Sequence, residues 1–309
     1  MTPRTENPAD PWSAIGTEHA LYSRATIAER KPLRWPEGRP LAFALVVSVE
    51  HYELQPPATA FSPPNLPGLF GRGPYPDFSN YTRREYGNRV GFFRLAQAVE
   101  RHGLRATAAI DAMSAQGCEP IVRELRRLGW EVAGHGRSVN RVISSRMSID
   151  EERAYLSECR RDVEAAIGMP MRGWHGPEYG QSANTPALLA ELGVSYQLDW
   201  PNDEQPYRMT TGCGPIVSVP MAIDLDDVVA NWHRRIAMPT WRDGVIAAVD
   251  RLIADGASNA RSLVLNLHPW LIGQPFRVSY LDEVLREIAA RDAVWTTTVA
   301  QIAAALPDR

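Results

Sequence analysis

What this 309-residue chain lacks narrows its chemistry before any motif is considered. It has three cysteines, Cys118, Cys159 and Cys213, an odd number at long spacings with no Cys-x-x-Cys pair. That argues against a disulfide framework and a thiolate zinc site, and suits incidental thiols in a reducing compartment. No apolar run reaches the ~20 residues that a membrane-spanning helix needs. The opening MTPRTENPADPWSAIG shows no basic stretch followed by an apolar one, so no secretory leader is expected and the cytoplasm is the expected location. Neither charge dominates: 33 Lys plus Arg against 36 Asp plus Glu gives a formal net charge of −3, with no Lys/Arg-rich run. Nucleic acid and membranes are therefore not expected partners.

What is present is an α/β pattern with 44% hydrophobic residues, enough for a sizeable core. Residues 1–40 are rich in proline and polar residues and read as a surface extension; residues 41–309 read as a single barrel domain. Leu41-Ala-Phe-Ala-Leu-Val-Val-Ser48 is a near-continuous apolar run, the signature of a strand buried on both faces. Residues 54–80 carry so many prolines that neither helix nor central strand is expected there, and the stretch reads as a lid or a subunit contact. Helical spacing then runs over 91–102, 119–128, 148–167, 185–192, 241–255 and 280–291. Short strand patterns fall between these helices and close with 294–297. The alternation predicts a distorted (β/α) barrel of about seven parallel strands.

Reactive residues of such barrels project from the C-terminal ends of the strands. Four of the seven histidines, His51, His135, His175 and His268, sit at predicted strand ends. Clustering of this kind suits acid–base or metal chemistry. Alternation puts Ser48 and Glu50 on one face and His51 on the other. A carboxylate aimed into a barrel mouth is costly unless it is engaged, so Glu50 joins the candidates. Trp174, Trp200 and Trp270 also lie at strand ends and are expected as pocket walls. Glu178 and Asp199 are expected to touch substrate, orient a histidine or pair with Arg172.

These segments, in this order, resemble the polysaccharide deacetylase superfamily (NodB homology) over roughly residues 40 to 300. That resemblance implies two first-strand carboxylates, at the positions of Ser48 and Glu50, and a His-Ser-x-x-His metal motif beginning at His135. It also implies an arginine at Arg172 and a terminal Leu-His acid at His268. The chain departs from the pattern twice: the base position is Ser48, and the second metal histidine is Val139, beside Asn140. A hydroxyl cannot replace a carboxylate as base without a partner. Longer strings, including Arg84-Glu85-Tyr86-Gly87-Asn88-Arg89, Gly173-Trp174-His175-Gly176-Pro177 and His268-Pro269-Trp270-Leu271, resemble the allantoinase-like, cyclic-imide-hydrolase-like branch.

Branch resemblance implies hydrolysis of a carbon–nitrogen bond other than a peptide bond, in a small amide, imide or ureide. The expected catalytic residues are Glu50, His135, His268 and Arg172. Glu50 with His135 activates water, Arg172 or a backbone N–H holds the oxyanion, and His268 protonates the leaving nitrogen. Glu85, Trp174, His175, Glu178, Asp199, Trp200 and Trp270 are the expected substrate contacts, Glu85 from the resemblance alone. The sequence demands no cofactor; a divalent metal such as Zn²⁺, if bound, would sit on Glu50 and His135, short of the usual three protein ligands. Two rival readings stand: a zinc-dependent N-deacetylase with His51 or Asn140 as a compensating ligand, and a non-catalytic homologue that binds a metabolite. The expected partners are a small-molecule amide and, through the Pro-rich stretch, further copies of the chain in a homo-oligomer.

Overall fold

The first strand, β1 (Leu41–Val49), is the pivot of a computed structural model that describes residues 19–61 and 76–307. All nine of its residues are buried, and parity sorts them. Leu41, Phe43, Leu45, Val47 and Val49 join the apolar layer under the helices, whereas Ala42, Ala44 and Val46 join a second layer inside the curl of the sheet. Ser48 and then Glu50 continue the inner face toward the mouth.

Eight further strands follow: β2 (Ala106–Ile110), β3 (Glu131–Gly134), β4 (Met171–Trp174), β5 (Tyr196–Gln197), β6 (Tyr207–Met209), β7 (Ile216–Ser218), β8 (Arg261–Leu267) and β9 (Val294–Thr297). They form one sheet in the order β6-β7-β5-β4-β3-β2-β1-β8, with β9 beside the first half of β1. Every pairing is parallel except β6 with β7. The expected α/β barrel is therefore present, with nine strands among the described residues in place of about seven. It is distorted, because the far edge meets β8 through an irregular segment, the Ala222 N–H donating to the Val264 carbonyl at 3.0 Å.

Local rules account for several elements. The helix Glu119–Leu128 ends at Gly129, whose φ of 60° is left-handed. Ser148 and Glu151 close a capping box on the helix Ile149–Ile167. Elsewhere tertiary context wins. A helix, Phe78–Tyr86, runs through a π turn, Gly87–Gly91, into the expected helix at Phe92–Arg101. Its buried face is polar, Asn80 and Arg84, so a search for apolar periodicity passes over it. Strand β6 lies in a stretch, 199–214, that reads as a loop. The middle of the Pro-rich stretch, 62–75, and residues 1–18 lie outside the described residues.

The described part of the N-terminal extension does more than cover the surface. Leu33 and Trp35 are buried in the inner apolar layer, and the Trp35 indole donates to the Arg261 carbonyl at 2.6 Å. No helix among the described residues is long and apolar enough to cross a membrane.

Candidate active site

The inner-face parity that carries Ala44 and Val46 up β1 delivers Glu50 into a pocket at the C-terminal end of the sheet. Its lining includes Glu50, Arg84, His135, His175, Glu178, Tyr179, Asp226, His268 and Trp270, and it measures about 430 Å³ counting its open mouth. Parity on β8 does the same for His268: Leu263, Leu265 and Leu267 face the helices, while Val264 faces inward, and Asn266 and His268 share its alternation. His135 and His175 follow β3 and β4 directly.

Glu50 is the organising charge. Its Oε2 accepts from Arg84 Nε at 3.2 Å and from the Trp270 indole at 3.0 Å. Its Oε1 faces His135 Nε2 at 3.6 Å and His268 Nε2 at 3.7 Å. Burial by itself would raise the Glu50 carboxyl. Arg84 and the two imidazoles outweigh it and hold the group well below the usual carboxylate range, so Glu50 is ionised. Arg84 reaches it because the π turn packs onto the backbone after β8. A Cβ at Gly91 would meet the Pro269 carbonyl at 2.0 Å, so only glycine allows this approach.

The two histidines facing Glu50 carry opposite roles. His135 Nδ1 lies 2.7 Å from the His175 carbonyl, which can only accept, so that nitrogen holds the proton. In the neutral ring Nε2 is then a lone pair, and this buried atom has no hydrogen-bond partner. His268 Nδ1 instead donates to Asp227 Oδ1 at 2.7 Å, and Asp226 lies 3.8 Å away. Burial opposes the charged ring, but Asp226, Asp227 and Glu50 together raise it to about 10. His268 is therefore an imidazolium with an N–H at Nε2.

Around these groups stands a shell of fixed partners. His175 donates to Asp199 Oδ1 at 3.0 Å and stacks on His135 with ring centroids 4.7 Å apart. Burial lowers His175, so it is neutral. Ser48 donates to Asn266 Oδ1 at 2.9 Å, and Asn266 donates to Asp226 Oδ2 at 2.8 Å. Ser48 thus serves as wiring beneath the pocket, in place of the base that the family pattern puts there.

Several expected site residues are not brought to the pocket. Arg172 is exposed: it points out of β4 while its neighbours are buried, so it cannot hold an oxyanion here. Trp174 is fully buried in a core cluster, and Trp200 packs against His19 and Tyr22 with its indole on Gln181 at 2.9 Å. Glu85 lies between Tyr81 and His51 and does not line the pocket. Asp199 touches His175 and the Gly176 N–H from behind. Glu50, His135, His268, His175, Glu178 and Trp270 do converge. Sequence reasoning missed Arg84, Asp226 and Asp227. The first sits on a helix whose buried face is polar, and the other two follow no recognisable strand.

The donor set does not make a metal site. Glu50 and His135 offer two atoms, and His268 Nε2 carries a proton. Asn140 is consumed by hydrogen bonds to Glu53 and Ser138, and the His51 ring packs edge-on against Tyr81. Among the described residues, Asp226, Asp227 and His268 are the one carboxylate–imidazole group close enough for an ion. Their atoms are already engaged: Asp226 accepts from the Val228 and Val229 N–H groups, Asn266 and Tyr179, and Asp227 from His268. That cluster is a hydrogen-bond hub.

Comparison with known proteins agrees with this architecture. The family model for polysaccharide deacetylase matches residues 84–197. A Schizosaccharomyces pombe protein provisionally named a polysaccharide deacetylase is 23% identical over 302 residues, 88% of this chain and 91% of its own. A provisionally named polysaccharide deacetylase from Pseudomonas aeruginosa PAO1 superposes with a TM-score of 0.78 at 24% identity, covering 92% of this chain and 97% of its own. PuuE allantoinase superposes with a TM-score of 0.80 at 23% identity over the same shares of the two chains.

Proposed function

For this chain, a member of the polysaccharide deacetylase superfamily, we propose hydrolysis of a carbon–nitrogen bond in a small amide, imide or ureide. The observation that carries the reading is one carboxylate oxygen, Glu50 Oε1, set between two imidazoles of opposite character. His135 presents an Nε2 with no hydrogen-bond partner at 3.6 Å and His268 presents an N–H at 3.7 Å. His135 has its Nδ1 taken by a backbone carbonyl and its Nε2 left open, while His268 is held charged by carboxylates, a pairing that suits general base and general acid.

The steps follow from those atoms. Water held by Glu50 Oε1 gives a proton to His135 Nε2 as its oxygen attacks the substrate carbonyl. The tetrahedral intermediate collapses with cleavage of the C–N bond, and His268 Nε2 supplies the proton that the departing nitrogen needs. The pair Asp226 and Asp227 keeps that proton in place until collapse. Glu50 is too acidic to be the base itself, and its role is to orient water and hold the two rings. The pocket, walled by Trp270 and Tyr179, suits a small molecule. The likeness to PuuE allantoinase puts ureides on the substrate list.

The test is turnover of a panel containing cyclic imides, hydantoins, allantoin and N-acetyl sugars. Hydrolysis of at least one cyclic imide or ureide is expected, with a loss on the order of 10²–10⁴-fold in His268→Ala. An inert wild-type protein, or a variant as active as wild type, would overturn the reading.

A further inference from the structure

With Arg172 on the surface, and Arg84 and Trp270 both spent on Glu50, the proposed reaction has no assigned donor for the oxyanion. Glu178 stands in the gap. It lines the pocket with Glu50, Asp226 and His268, and among the described residues its carboxyl has no hydrogen-bond or ion-pair partner. Glu178 is partly buried, and a carboxyl that lines a pocket without a protein partner is open to a ligand.

Its backbone is held in a costly shape. Glu178 has φ 55°, ψ 32°, and Tyr179 follows at φ 58°, two successive non-glycine residues in the left-handed region. Such geometry costs on the order of 1–3 kcal/mol per residue and persists only where the surroundings enforce it. Here they do. Pro177 fixes the entry, and a Cβ at Gly180 would meet Val142 Cγ1 at 2.2 Å and the Ile143 carbonyl at 2.8 Å. Tyr179 is pinned by its hydroxyl to Asp226 Oδ2 at 3.3 Å and by its ring against His175. The turn thereby fixes where Glu178 enters the pocket.

We propose that Glu178 is a catalytic residue that meets the substrate as a carboxylic acid, donating its O–H to the carbonyl oxygen and holding it as negative charge develops. The assignment rests on the hydrolytic reading above and fills its missing role. The groups around the pocket fit a neutral acid: ionised Glu50 on the β1 end, Asp226 on the segment after β7, neutral His175, and cationic Arg84 and His268. Burial comes first, and Glu50 adds to it; Arg84, His268 and Asp226 follow, and the balance lifts the Glu178 carboxyl to about 8. A carboxylic acid kept neutral donates a hydrogen bond where a carboxylate would repel the oxyanion.

Two variants and one spectrum test this. Glu178→Ala should lower kcat by about 10²-fold with little change in KM. Glu178→Gln, which keeps a neutral donor, should stay within about ten-fold of wild type and lose the alkaline fall in kcat near pH 8. Infrared difference spectra of wild type between pH 6 and 9.5 should show a carboxylic-acid C=O band that Glu178→Gln abolishes. The proposal is overturned if Glu178→Ala keeps wild-type kcat, if Glu178→Gln falls as far as Glu178→Ala, or if no such band exists. An inert wild type defeats the hydrolytic reading and the catalytic role together; an active wild type with indifferent Glu178 variants defeats this inference alone.

Discussion

Asp227 accepts two hydrogen bonds from one residue, His268: the ring Nδ1–H at 2.7 Å and the backbone N–H at 3.0 Å. Orientation, tautomer and charge of the imidazole are thereby set by a neighbour 41 residues away in sequence. Asp227→Asn removes the charge and leaves the size. His268 should then titrate well below its present value of about 10, and turnover should fall on the order of 10²-fold. Imidazole NMR shifts followed over pH, beside kcat, check both; an unmoved titration would sever the link.

Stability should depend on pH through the same ring. His268 is raised to about 10 in the folded protein, against an ordinary 6.5 once unfolded. The folded state therefore binds a proton more tightly. The stabilisation is full below about 6.5 and is lost as pH rises toward 10. Urea midpoints at pH 6 and pH 9.5 should differ in that direction, and the difference should shrink in His268→Gln.

Arg84 is the charge that makes a buried Glu50 tolerable. The two are 2% and 5% exposed, with Arg84 Nε 3.2 Å from Glu50 Oε2. Arg84→Met leaves a carboxylate in the interior facing only the imidazoles and an indole. Removing one partner of a buried ion pair costs about 3–5 kcal/mol. Chemical denaturation should show a loss of that order, and Glu50→Gln in the same chain should recover part of it.

Arg172 separates the structure from the family pattern. Its exposed side chain on β4 predicts that Arg172→Ala keeps kcat/KM within about two-fold, because surface substitutions away from special features are near neutral. A fall of a hundred-fold would mean that the loop after β4 rearranges when substrate binds.

Chelation gives the last prediction. Glu50 Oε1 and His135 Nε2 are two donors without a third, so prolonged dialysis against a chelator should leave turnover unchanged. Loss of activity restored by stoichiometric zinc would require His268 to lose its proton and turn Nε2 into a ligand.

Much of the site was legible because strands write their geometry in sequence. The apolar run Leu41–Val49 announces a doubly buried strand, and alternation along it carries Glu50 to the inner face. The same rule places His268 beyond Asn266. His135 and His175 stand out because they end short strands before Gly136 and Gly176. The capping box at Ser148 and the glycine at 129 mark helix ends through local hydrogen bonding alone.

What the sequence could not decide is which polar groups meet. Arg84, Asp226 and Asp227 join Glu50 and His268 across separations of 34 to 42 residues, through packing of a helix, a turn and a strand end. No periodicity encodes such meetings, because charged partners leave no apolar stripe. Side-chain direction decided the rest: a single step of parity turns Arg172 to solvent, and a left-handed turn faces Glu178 to the pocket. The sequence by itself determined the barrel and the strand ends where chemistry could sit. Only the tertiary structure decided the charge of His268 and the tautomer of His135, since burial, distant carboxylates and a distant carbonyl are absent from any local window.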